Sequence, residues 1–335
     1  VPVDRWAPLR LEELLASRMR YGGFVVGAEL FDSAMFGIAP AEAAAMDPQQ
    51  RLLLERGWEA LHCAELTRSA LVGSLTGVFV AIAANDFAQL TATSAESATS
   101  VYTATGSSHS IAAGRLSFVL GLQGPCAAYD TACSSGLVAS HTASRSLQRM
   151  DCDCALVAAV SLMLIPQIGM SFAVAGMTSA LGRSHTFDVR ADGYVRAEAC
   201  NAAILQGDGK QAGDEPQLSL IGSSVRQDGR SASLTAPNGL AQQALLEAAF
   251  ADATISPEQL TCVEAHGTGT ALGDPLEARS LALSALATRD TSRALALGGI
   301  KANVGHAEAA AGLVGLLKVS LVLQQIMVPA NAQLQ

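Results

Sequence analysis

The sequence predicts an α/β protein made of two halves, each with the order β-α-β-α-β. Two observations support this prediction. Almost fully apolar runs alternate with helix-like segments, a pattern typical of strands in a sheet that helices cover on both faces. After a polar, glycine-rich stretch at residues 206–216, the same order starts again. We therefore expect an N-terminal half at residues 1–213 and a C-terminal half at residues 214–335, each with its own parallel sheet.

The first half supplies three of the predicted strands. A helix begins after Asp47, because the Asp-Pro pair provides an N-cap and a first-turn proline, and an amphipathic pattern then continues to about Leu61. A shorter helical stretch precedes it at residues 9–18. A polar-apolar hairpin is predicted after the last strand, at residues 193–206. The strands are predicted at residues 76–83, 126–132 and 155–164, separated by helices at residues 107–119 and 134–149.

The second half repeats this order. Asp274 is the expected N-cap of the middle helix, and Glu277 lies in its first turn, close to a capping-box arrangement. Strands are predicted at residues 217–225, 260–265 and 294–300, with helices at residues 240–253, 275–286 and 308–325.

Composition excludes several classes of protein. The 335 residues are 50% hydrophobic and 15% charged, so the chain can bury a large core. The net charge of −9 and the lack of basic runs argue against nucleic acid as the main partner. No uninterrupted apolar stretch is long enough for a membrane span, and we see no signal peptide at the N-terminus.

The cysteines point to a reducing compartment. Seven cysteines in a chain of this length do not form an obvious disulfide framework. Cys152 and Cys154 form a close pair, but no second pair stands at zinc-site spacing, so we expect no metal. Cys63, Cys126, Cys200 and Cys262 are expected to be small core residues. A cytoplasmic location is the default expectation, with an organelle left open.

A candidate nucleophile lies in the sequence DTACSSG at residues 130–136. Cys133 stands between a predicted strand and a predicted helix, and its neighbours are small, as a sharp strand-to-helix turn requires. The helix N-terminus favours negative charge, so we expect the thiol pKa to fall below its usual value of about 8.5. The alternative for an isolated cysteine is a buried structural residue.

Two histidines also follow predicted strands. His266 lies in EAHGTGT and His306 in KANVGHAEAAAG. Ligand sites of open α/β sheets lie at the carboxyl ends of strands. Stacking the two halves about a two-fold axis would bring both imidazoles to Cys133.

These motifs resemble those of the ketosynthase family, the β-ketoacyl synthases, and most closely the ketosynthase domains of modular type I polyketide synthases. Three further stretches resemble the family in the same order, at residues 31–61, 186–200 and 228–243. The resemblance covers essentially the whole chain. It implies the thiolase-like fold, with five layers in the order α/β/α/β/α.

The resemblance also implies a reaction and its residues. Cys133 would take an acyl group from an acyl carrier protein, and His266 and His306 would donate hydrogen bonds during the decarboxylative condensation with a malonyl-type thioester. Lys301 would position the site, paired with Glu308. Thr268 and Thr270 would bind the phosphopantetheine arm, which belongs to the carrier, so no bound cofactor is expected.

Related families differ at these positions. Thiolases use two catalytic cysteines and a histidine, chalcone-synthase-like enzymes use cysteine, histidine and asparagine, and chain-length factors replace the nucleophile. The papain-like cysteine context is missing from this sequence. The alternative from another class is a catalytically silent scaffold or dimerisation segment. The family forms homodimers through the strand that corresponds to residues 126–132.

The sequence departs from the family pattern in two respects. An apolar strand that precedes the position of Val1 in complete ketosynthases is missing, and so is a Gly-Phe-Gly-Gly-Thr-Asn-Ala-His stretch that follows the position of Gln335. We therefore expect a fragment that is truncated at both ends. Ala197 and Ala199 replace glycines of the predicted hairpin, which is expected to stiffen it.

Overall fold

A computed structural model describes residues 2, 5–6, 13–92, 100–207, 218–287, 289–290 and 294–335 of the chain. The boundary expected between residues 213 and 214, and residues 9–12 of the first expected helix, lie outside these ranges. The elements of the first half are α1 (Glu13–Met19), α2 (Pro40–Ala45), α3 (Pro48–Cys63), α4 (Arg68–Leu71), β1 (Thr76–Ala81), α5 (Asp86–Ala92), α6 (Thr103–Gly106), α7 (His109–Leu120), β2 (Cys126–Tyr129), α8 (Ser135–Gln148), β3 (Cys154–Ser161), α9 (Gln167–Val174) and β4 (Ala199–Gln206).

The second half begins with a long helix. Its elements are α10 (Gly239–Ala253), a 3-10 turn (Pro257–Gln259), β5 (Cys262–Glu264), α11 (Gly273–Leu281), a π-helical turn that continues α11 (Ala282–Leu286), β6 (Ala296–Gly298), α12 (Lys301–Val304), a 3-10 turn (Glu308–Ala310) and α13 (Ala311–Gln325).

The first sheet has the strand order β2-β1-β3-β4. The strands β1, β2 and β3 are mutually parallel, and β4 runs antiparallel to β3. All residues of β1 and β3 are buried, because helices cover both faces of the sheet. The β-α-β-α-β order predicted for the first half is therefore confirmed.

The two faces of this sheet pack against different helices. One face contacts α3 and α7 through large aliphatic side chains such as Leu53, Leu116 and Leu156. The other face contacts α8 and α13, mainly through alanines and Leu313. A Cβ on Gly136 would lie 2.9 Å from the backbone nitrogen of Leu313, so glycine allows α13 to approach the start of α8 closely.

The helix α13 also connects the two sheets. It contacts β4 in the first sheet and β5 in the second, in which β5 and β6 are parallel. The helices α10 and α11 pack on each other in the second half. The first sheet therefore has helices on both faces, and α13 forms a helical layer between the two sheets, in agreement with the five-layer arrangement that the resemblance implies.

The predicted strand at 217–225 is wrong for residues 218–225, which form no ladder. Ser223 instead donates its N–H to the Asp252 carboxylate at 2.8 Å, and its carbonyl accepts from Arg145 at 3.0 Å. Side chains of α8 and α10 thus satisfy backbone groups that a neighbouring strand would otherwise bind. Residue 217 lies outside the described ranges.

The predicted hairpin at residues 193–206 is also wrong. Only its second part forms a strand, β4, while Tyr194, Arg196 and Ala197 form isolated bridges with Thr178, His306 and Gly23. The backbone of this stretch therefore pairs with three separate segments rather than with itself. The side chain of Ala197 packs close to Gly23 and Gly305, so its methyl group fills space between those segments.

The start of α3 contains a buried charge. Asp47 is the N-cap, as predicted, and accepts a hydrogen bond from the Gln49 N–H at 2.8 Å. Its carboxyl group is almost fully buried, and this burial raises its pKa to about 6. The ionised carboxylate therefore destabilises the folded chain near neutral pH.

This buried carboxyl group should make stability depend on pH. Because its folded pKa is raised above the ordinary value of 3.8, its stabilising contribution is full below 3.8 and is lost as pH rises through 6. Asp47→Ser keeps an N-cap oxygen and removes the charge. We compare the free energy of unfolding of the variant with that of the parent. The difference, variant minus parent, should increase by about 1.4 kcal/mol between pH 5 and pH 8. Urea denaturation at both pH values measures this; a pH-independent difference would contradict the assignment.

All seven cysteines are free thiols. Cys152 and Cys154 are buried, whereas Cys63 and Cys126 are exposed, so the expectation that the latter two are core residues is wrong. Cys126 is exposed because β2 is an edge strand. Among the described residues, no helix has the length and apolar character needed to cross a membrane.

Candidate active site

The candidate nucleophile lies in a sharp turn between β2 and α8. Ala132, directly before Cys133, has a left-handed backbone with φ of 53°. The Ser135 hydroxyl supports the turn, because it accepts from the Thr131 N–H at 2.8 Å and donates to the Ala132 carbonyl at 2.6 Å. The left-handed backbone at Ala132 is therefore held by the hydrogen bonds of the Ser135 hydroxyl.

The structure brings Cys133, His266 and His306 together. The Cys133 Sγ lies 3.7 Å from the His266 Nε2. The two imidazole rings meet edge to face, with centroids 5.7 Å apart. His266 follows β5, and His306 follows α12 after β6, so side chains from both halves line one site.

His306 is oriented by a backbone hydrogen bond. The Glu308 N–H donates to the His306 Nδ1 at 2.9 Å, so the proton of the neutral ring is on Nε2. Burial lowers the pKa of His306 well below its usual value, with a further contribution from the Lys301 cation. His306 is therefore a neutral donor at physiological pH.

The pKa of His266 is also lowered, although the residue is exposed to solvent on part of its surface. Burial by the surrounding protein lowers its pKa, and the positive charge of Lys301 lowers it further. Both imidazoles are thus neutral near pH 7, which leaves each with one donor and one acceptor nitrogen.

Lys301 is buried beside these groups, at the start of α12. Its Nζ donates to the His266 carbonyl oxygen at 2.6 Å. Burial lowers the pKa of Lys301, and the Glu277 carboxylate opposes that shift, as does the Cys133 sulfur when it is ionised. The charge of Lys301 therefore acts on all three residues of the site at once.

The predicted pairing of Lys301 with Glu308 is wrong. The Glu308 carboxylate instead accepts from the Arg196 Nε at 3.0 Å. The two residues are drawn apart because Lys301 faces the loop after β5, whereas Glu308 faces the segment before β4. Sequence reasoning missed Arg196, since no local pattern links it to a residue 112 positions away.

Two carboxylates support the loop that carries His266. Glu277 accepts from the N–H groups of His266 at 2.6 Å and Gly267 at 2.8 Å. Asp274 accepts from the Gly269 N–H at 3.0 Å and the Phe187 N–H at 2.8 Å. These contacts fix the loop against α11.

The helix α11 begins at Gly273, so the predicted N-cap at Asp274 and the capping box with Glu277 are wrong. Both carboxylates turn toward the preceding loop instead. Their spacing of eight and eleven residues after His266, in the first turns of a helix, is the signal that could have revealed this role.

Thr268 and Thr270 lie in the same loop as His266. Their hydroxyl oxygens are 3.1 Å apart, and the Thr270 hydroxyl accepts from the Gly273 N–H at 3.1 Å. Both side chains are partly buried. Their predicted role in binding the phosphopantetheine arm of the substrate stays a prediction.

The expectation of a lowered thiol pKa is wrong. Burial raises the pKa of Cys133, and the Lys301 charge offsets only part of this effect. The start of α8 does not compensate for the loss of water around the sulfur. The resting thiol is therefore protonated near neutral pH, and the nearby His266 Nε2 is in reach of its proton.

The donor set does not suit a metal ion. In the described part of the chain, Cys133, His266 and His306 form the one group with metal-site spacing, with ligand atoms within 4.8 Å of one another. A ligating imidazole nitrogen must offer a lone pair. The Nδ1 lone pair of His306 already accepts from Glu308, and its Nε2 bears the proton. The Lys301 cation also opposes a second positive charge.

These features define a class of protein. A cysteine in a strand-to-helix turn faces two neutral histidines contributed by the other half of a duplicated α/β fold. Residues 1–210 match the family described as "Beta-ketoacyl synthase, N-terminal domain", and residues 218–335 match "Beta-ketoacyl synthase, C-terminal domain". The chain belongs to the β-ketoacyl synthase family, which confirms the resemblance inferred from the motifs.

The curated relatives that the chain matches are polyketide synthases. The chain is similar to two phenolphthiocerol/phthiocerol polyketide synthase proteins of Mycobacterium tuberculosis, with 43% and 42% identity over 99% of its length. It spans only 22% and 18% of those two proteins.

Solved ketosynthases have the same fold. The ketosynthase from module 6 of the bacillaene synthase of Bacillus subtilis matches with a TM-score of 0.92 and 34% identity, over 100% of this chain and 57% of that one. The oxazolomycin ketosynthase domain of Streptomyces albus matches with a TM-score of 0.88 and 33% identity, over 99% of this chain and 60% of that one. These likenesses confirm the predicted thiolase-like fold.

Proposed function

We propose that the chain is the β-ketoacyl synthase part of a polyketide synthase and catalyses a decarboxylative condensation. The observation that supports this most strongly is the 3.7 Å contact between the Cys133 sulfur and His266, with His306 beside it as a neutral donor. The reaction joins an acyl group to a malonyl-type thioester and releases carbon dioxide.

The first step is acyl transfer to Cys133. The thiol passes its proton toward the His266 Nε2 and attacks the carbonyl carbon of an acyl thioester. A new thioester forms as the carrier leaves as a thiolate, which gains the proton released from the His266 Nδ1, so the neutral ring then holds its proton on Nε2. One thioester replaces another, so little energy is gained or lost. The positive charge of Lys301 stabilises the transient thiolate, because that charge opposes the rise in its pKa.

The second step requires stabilisation of an enolate. Loss of carbon dioxide from the malonyl-type thioester leaves negative charge on its carbonyl oxygen, and the enolate carbon then attacks the acyl-cysteine. The bond from the acyl carbon to the Cys133 sulfur breaks, and the sulfur leaves as a thiolate that regains its proton from the His266 Nε2. His306 offers its Nε2–H to that oxygen, and His266 offers a second donor once the sulfur is acylated. Such donors act strongly because the fold holds them in place before charge develops on the oxygen.

The substrates arrive on an acyl carrier protein. Thr268 and Thr270 lie in the His266 loop with hydroxyl groups that can bind the amides of the phosphopantetheine arm. This arm belongs to the carrier, so the reaction needs no cofactor bound to the chain itself. We place the protein in a reducing compartment, in keeping with a cytoplasmic location, because the first step needs a free thiol.

Formation of a carbon–carbon bond tests the proposal. The purified chain is mixed with an acyl-pantetheine thioester and malonyl-loaded acyl carrier protein, and the β-ketoacyl product is measured by mass spectrometry. Product above the level seen with heat-denatured chain supports an enzyme. A folded chain that acquires neither an acyl group nor product would favour the alternative, a silent scaffold.

We further propose that the chain forms a homodimer through β2. The Val78 N–H donates to the Pro125 carbonyl and the Ile82 N–H to the Tyr129 carbonyl, so alternate residues of β2 face β1. The backbone groups of Cys126 and Ala128 therefore face outward on an edge strand, which is available to a second copy. The neighbouring Phe118 is 84% exposed on α7, which packs on β2.

Removing one outward donor should disrupt this dimer. Ala128→Pro deletes an N–H that faces away from β1, and proline is tolerated at such edge positions. We expect the variant to run at the monomer mass of 34.4 kDa in size-exclusion chromatography with light scattering, while the parent runs at twice that mass. Cys126→Ser keeps every backbone donor and should remain dimeric. A folded Ala128→Pro dimer would contradict the interface.

A further inference from the structure

The residue that orients His306 has a strained backbone. Glu308 adopts a left-handed conformation with φ of 46°, which is unfavourable for a residue with a side chain. In this conformation its N–H points back two residues to the His306 Nδ1, at 2.9 Å. The φ of Glu308 sets how the chain continues beyond that N–H, so a right-handed Glu308 could keep this hydrogen bond only if the 3-10 turn (Glu308–Ala310) moved. The tautomer of His306 therefore depends on a conformation that needs support.

Arg196 provides that support. Its Nε donates to the Glu308 Oε1 at 3.0 Å, and its guanidinium lies over the Phe172 ring, 5.3 Å from the centroid. Both charged side chains are largely buried, with 8% and 17% exposure for Arg196 and Glu308. A buried guanidinium stacked on an aromatic ring has few alternative positions.

The backbone of the Arg196 segment also holds His306. The His306 N–H donates to the Val195 carbonyl at 2.8 Å, and the Ala197 N–H donates to the His306 carbonyl at 2.8 Å. The residues on either side of Arg196 thus form backbone hydrogen bonds with His306, and the Arg196 side chain forms the ion pair with Glu308. The segment from Val195 to Ala197 therefore holds both His306 and Glu308, whose N–H binds the His306 Nδ1.

We infer that Arg196 is a positioning residue: its ion pair with Glu308 holds the left-handed backbone that keeps His306 as the Nε2–H tautomer. This inference rests on the proposed function, in which His306 donates from Nε2 to the enolate oxygen. It assigns Glu308 a role through its backbone rather than through its carboxylate, which touches no reacting atom in the structure. An ion pair that only stabilised the fold would leave the tautomer and the relative rates of the two steps unchanged.

Four variants separate these roles. Arg196→Met removes the ion pair, and Glu308→Ala removes it while leaving a side chain on a left-handed backbone. Glu308→Gly removes the pair but tolerates that backbone and keeps the N–H. The double variant Arg196→Met with Glu308→Gly removes both buried charges. Arg115→Met is the matched control, because Arg115 is equally buried and pairs with Glu42 away from the site.

The first readout is the tautomer itself. The chain is labelled with ¹⁵N-imidazole histidine, and the His306 signals among the six histidines are identified by their loss in His306→Ala. We expect the parent and Arg115→Met to show the Nε2–H tautomer. Arg196→Met and Glu308→Ala should show a mixture, and both variants with glycine should keep the parent tautomer.

The second readout compares the two chemical steps. Acylation of Cys133 should not fall below about a third of the parent rate in any variant, because the contact between the sulfur and His266 is kept. Loss of the Glu308 charge, which raises the pKa of Cys133, favours the thiolate and does not slow this step. Decarboxylation by Glu308→Ala should fall roughly tenfold or more below that by Glu308→Gly, the factor expected from a left-handed alanine. The double variant should recover most of the rate lost in Arg196→Met.

Two results would overturn the inference. One is a parent-like His306 tautomer with a parent-like decarboxylation rate in Arg196→Met. The other is equal decarboxylation by Glu308→Ala and Glu308→Gly. If the parent performs no decarboxylation, the proposed function fails, yet the spectra still show whether Arg196 controls the tautomer.

Discussion

Cys133→Ala should abolish acyl transfer to the chain. Without a sulfur in the turn between β2 and α8 there is no nucleophile, because the hydroxyl groups of Ser134 and Ser135 donate to the carbonyl oxygens of Thr131 and Ala132. Intact mass after incubation with an acyl-pantetheine thioester should show one added acyl group on the parent and none on the variant. Malonyl decarboxylation should persist, because it uses the two histidines and not the sulfur.

The other thiols provide the control for this experiment. Cys126 is exposed on the edge strand and could react without catalysis, so Cys126→Ala should still acquire one acyl group. Buried Cys154 has a pKa raised to about 11 by burial and stays unreactive near neutral pH. Acylation of Cys133→Ala to the parent level would show that the modified residue lies elsewhere and would remove the nucleophile from the proposal.

The first half of the fold could be predicted from sequence because its strands are fully buried. A run of residues with no polar interruption, such as β3, is stable as a strand when helices cover both faces of its sheet. The N-cap of α3 was equally readable, since an Asp-Pro pair acts within one turn. Local chemistry and local burial decide these elements.

Other features depend on partners far along the chain. Residues 218–225 have an apolar pattern, yet their backbone groups bind side chains of α8 and α10. Arg196 and Glu308 form an ion pair although they are 112 residues apart, and no short sequence pattern predicts this pairing. The thiol pKa rises because folding buries much of the environment of the sulfur, an effect that the helix start alone did not suggest.

The site motifs could be recognised although their contacts could not. Glycines such as Gly267, with φ of 47°, and Gly305, with φ of 87°, have left-handed backbones beside the two histidines. Each is required by the turn that aims the neighbouring imidazole, so the motif letters record backbone geometry as well as chemistry. Asp274 and Glu277, which support the His266 loop, follow it closely in the sequence. Only the folded structure shows which N–H groups their carboxylates accept from.

His306→Ala and His266→Ala should separate the two chemical steps. Each variant loses one donor to the enolate oxygen, so we expect decarboxylation to fall roughly 10²–10³-fold. His306→Ala should retain acylation, because His306 is not the group in contact with the sulfur; His266→Ala should acylate more slowly, because its Nε2 accepts the thiol proton. Release of carbon dioxide and intact mass measure the two steps separately.

A matched variant tests whether donation is the property that matters. His306→Gln places an amide N–H donor near the Nε2 position and should recover part of the lost decarboxylation, whereas His306→Phe fills the space without a donor and should not. Parent-level decarboxylation by either His306→Ala or His306→Phe would contradict the donor assignment.

The dependence of decarboxylation on pH provides an independent check of the same assignment. An ordinary histidine gains a proton near pH 6.5 and would then lose its acceptor nitrogen. Burial and Lys301 lower the pKa of both histidines here, so each stays neutral well below that pH, and the Glu308 N–H continues to meet a lone pair on His306. The decarboxylation rate should therefore remain flat from pH 7.5 down to about 5.5. Lys301→Met removes the shared charge and should shift the onset of histidine protonation to higher pH; a parent rate that already halves near pH 6.5 would show that the histidines are not held neutral.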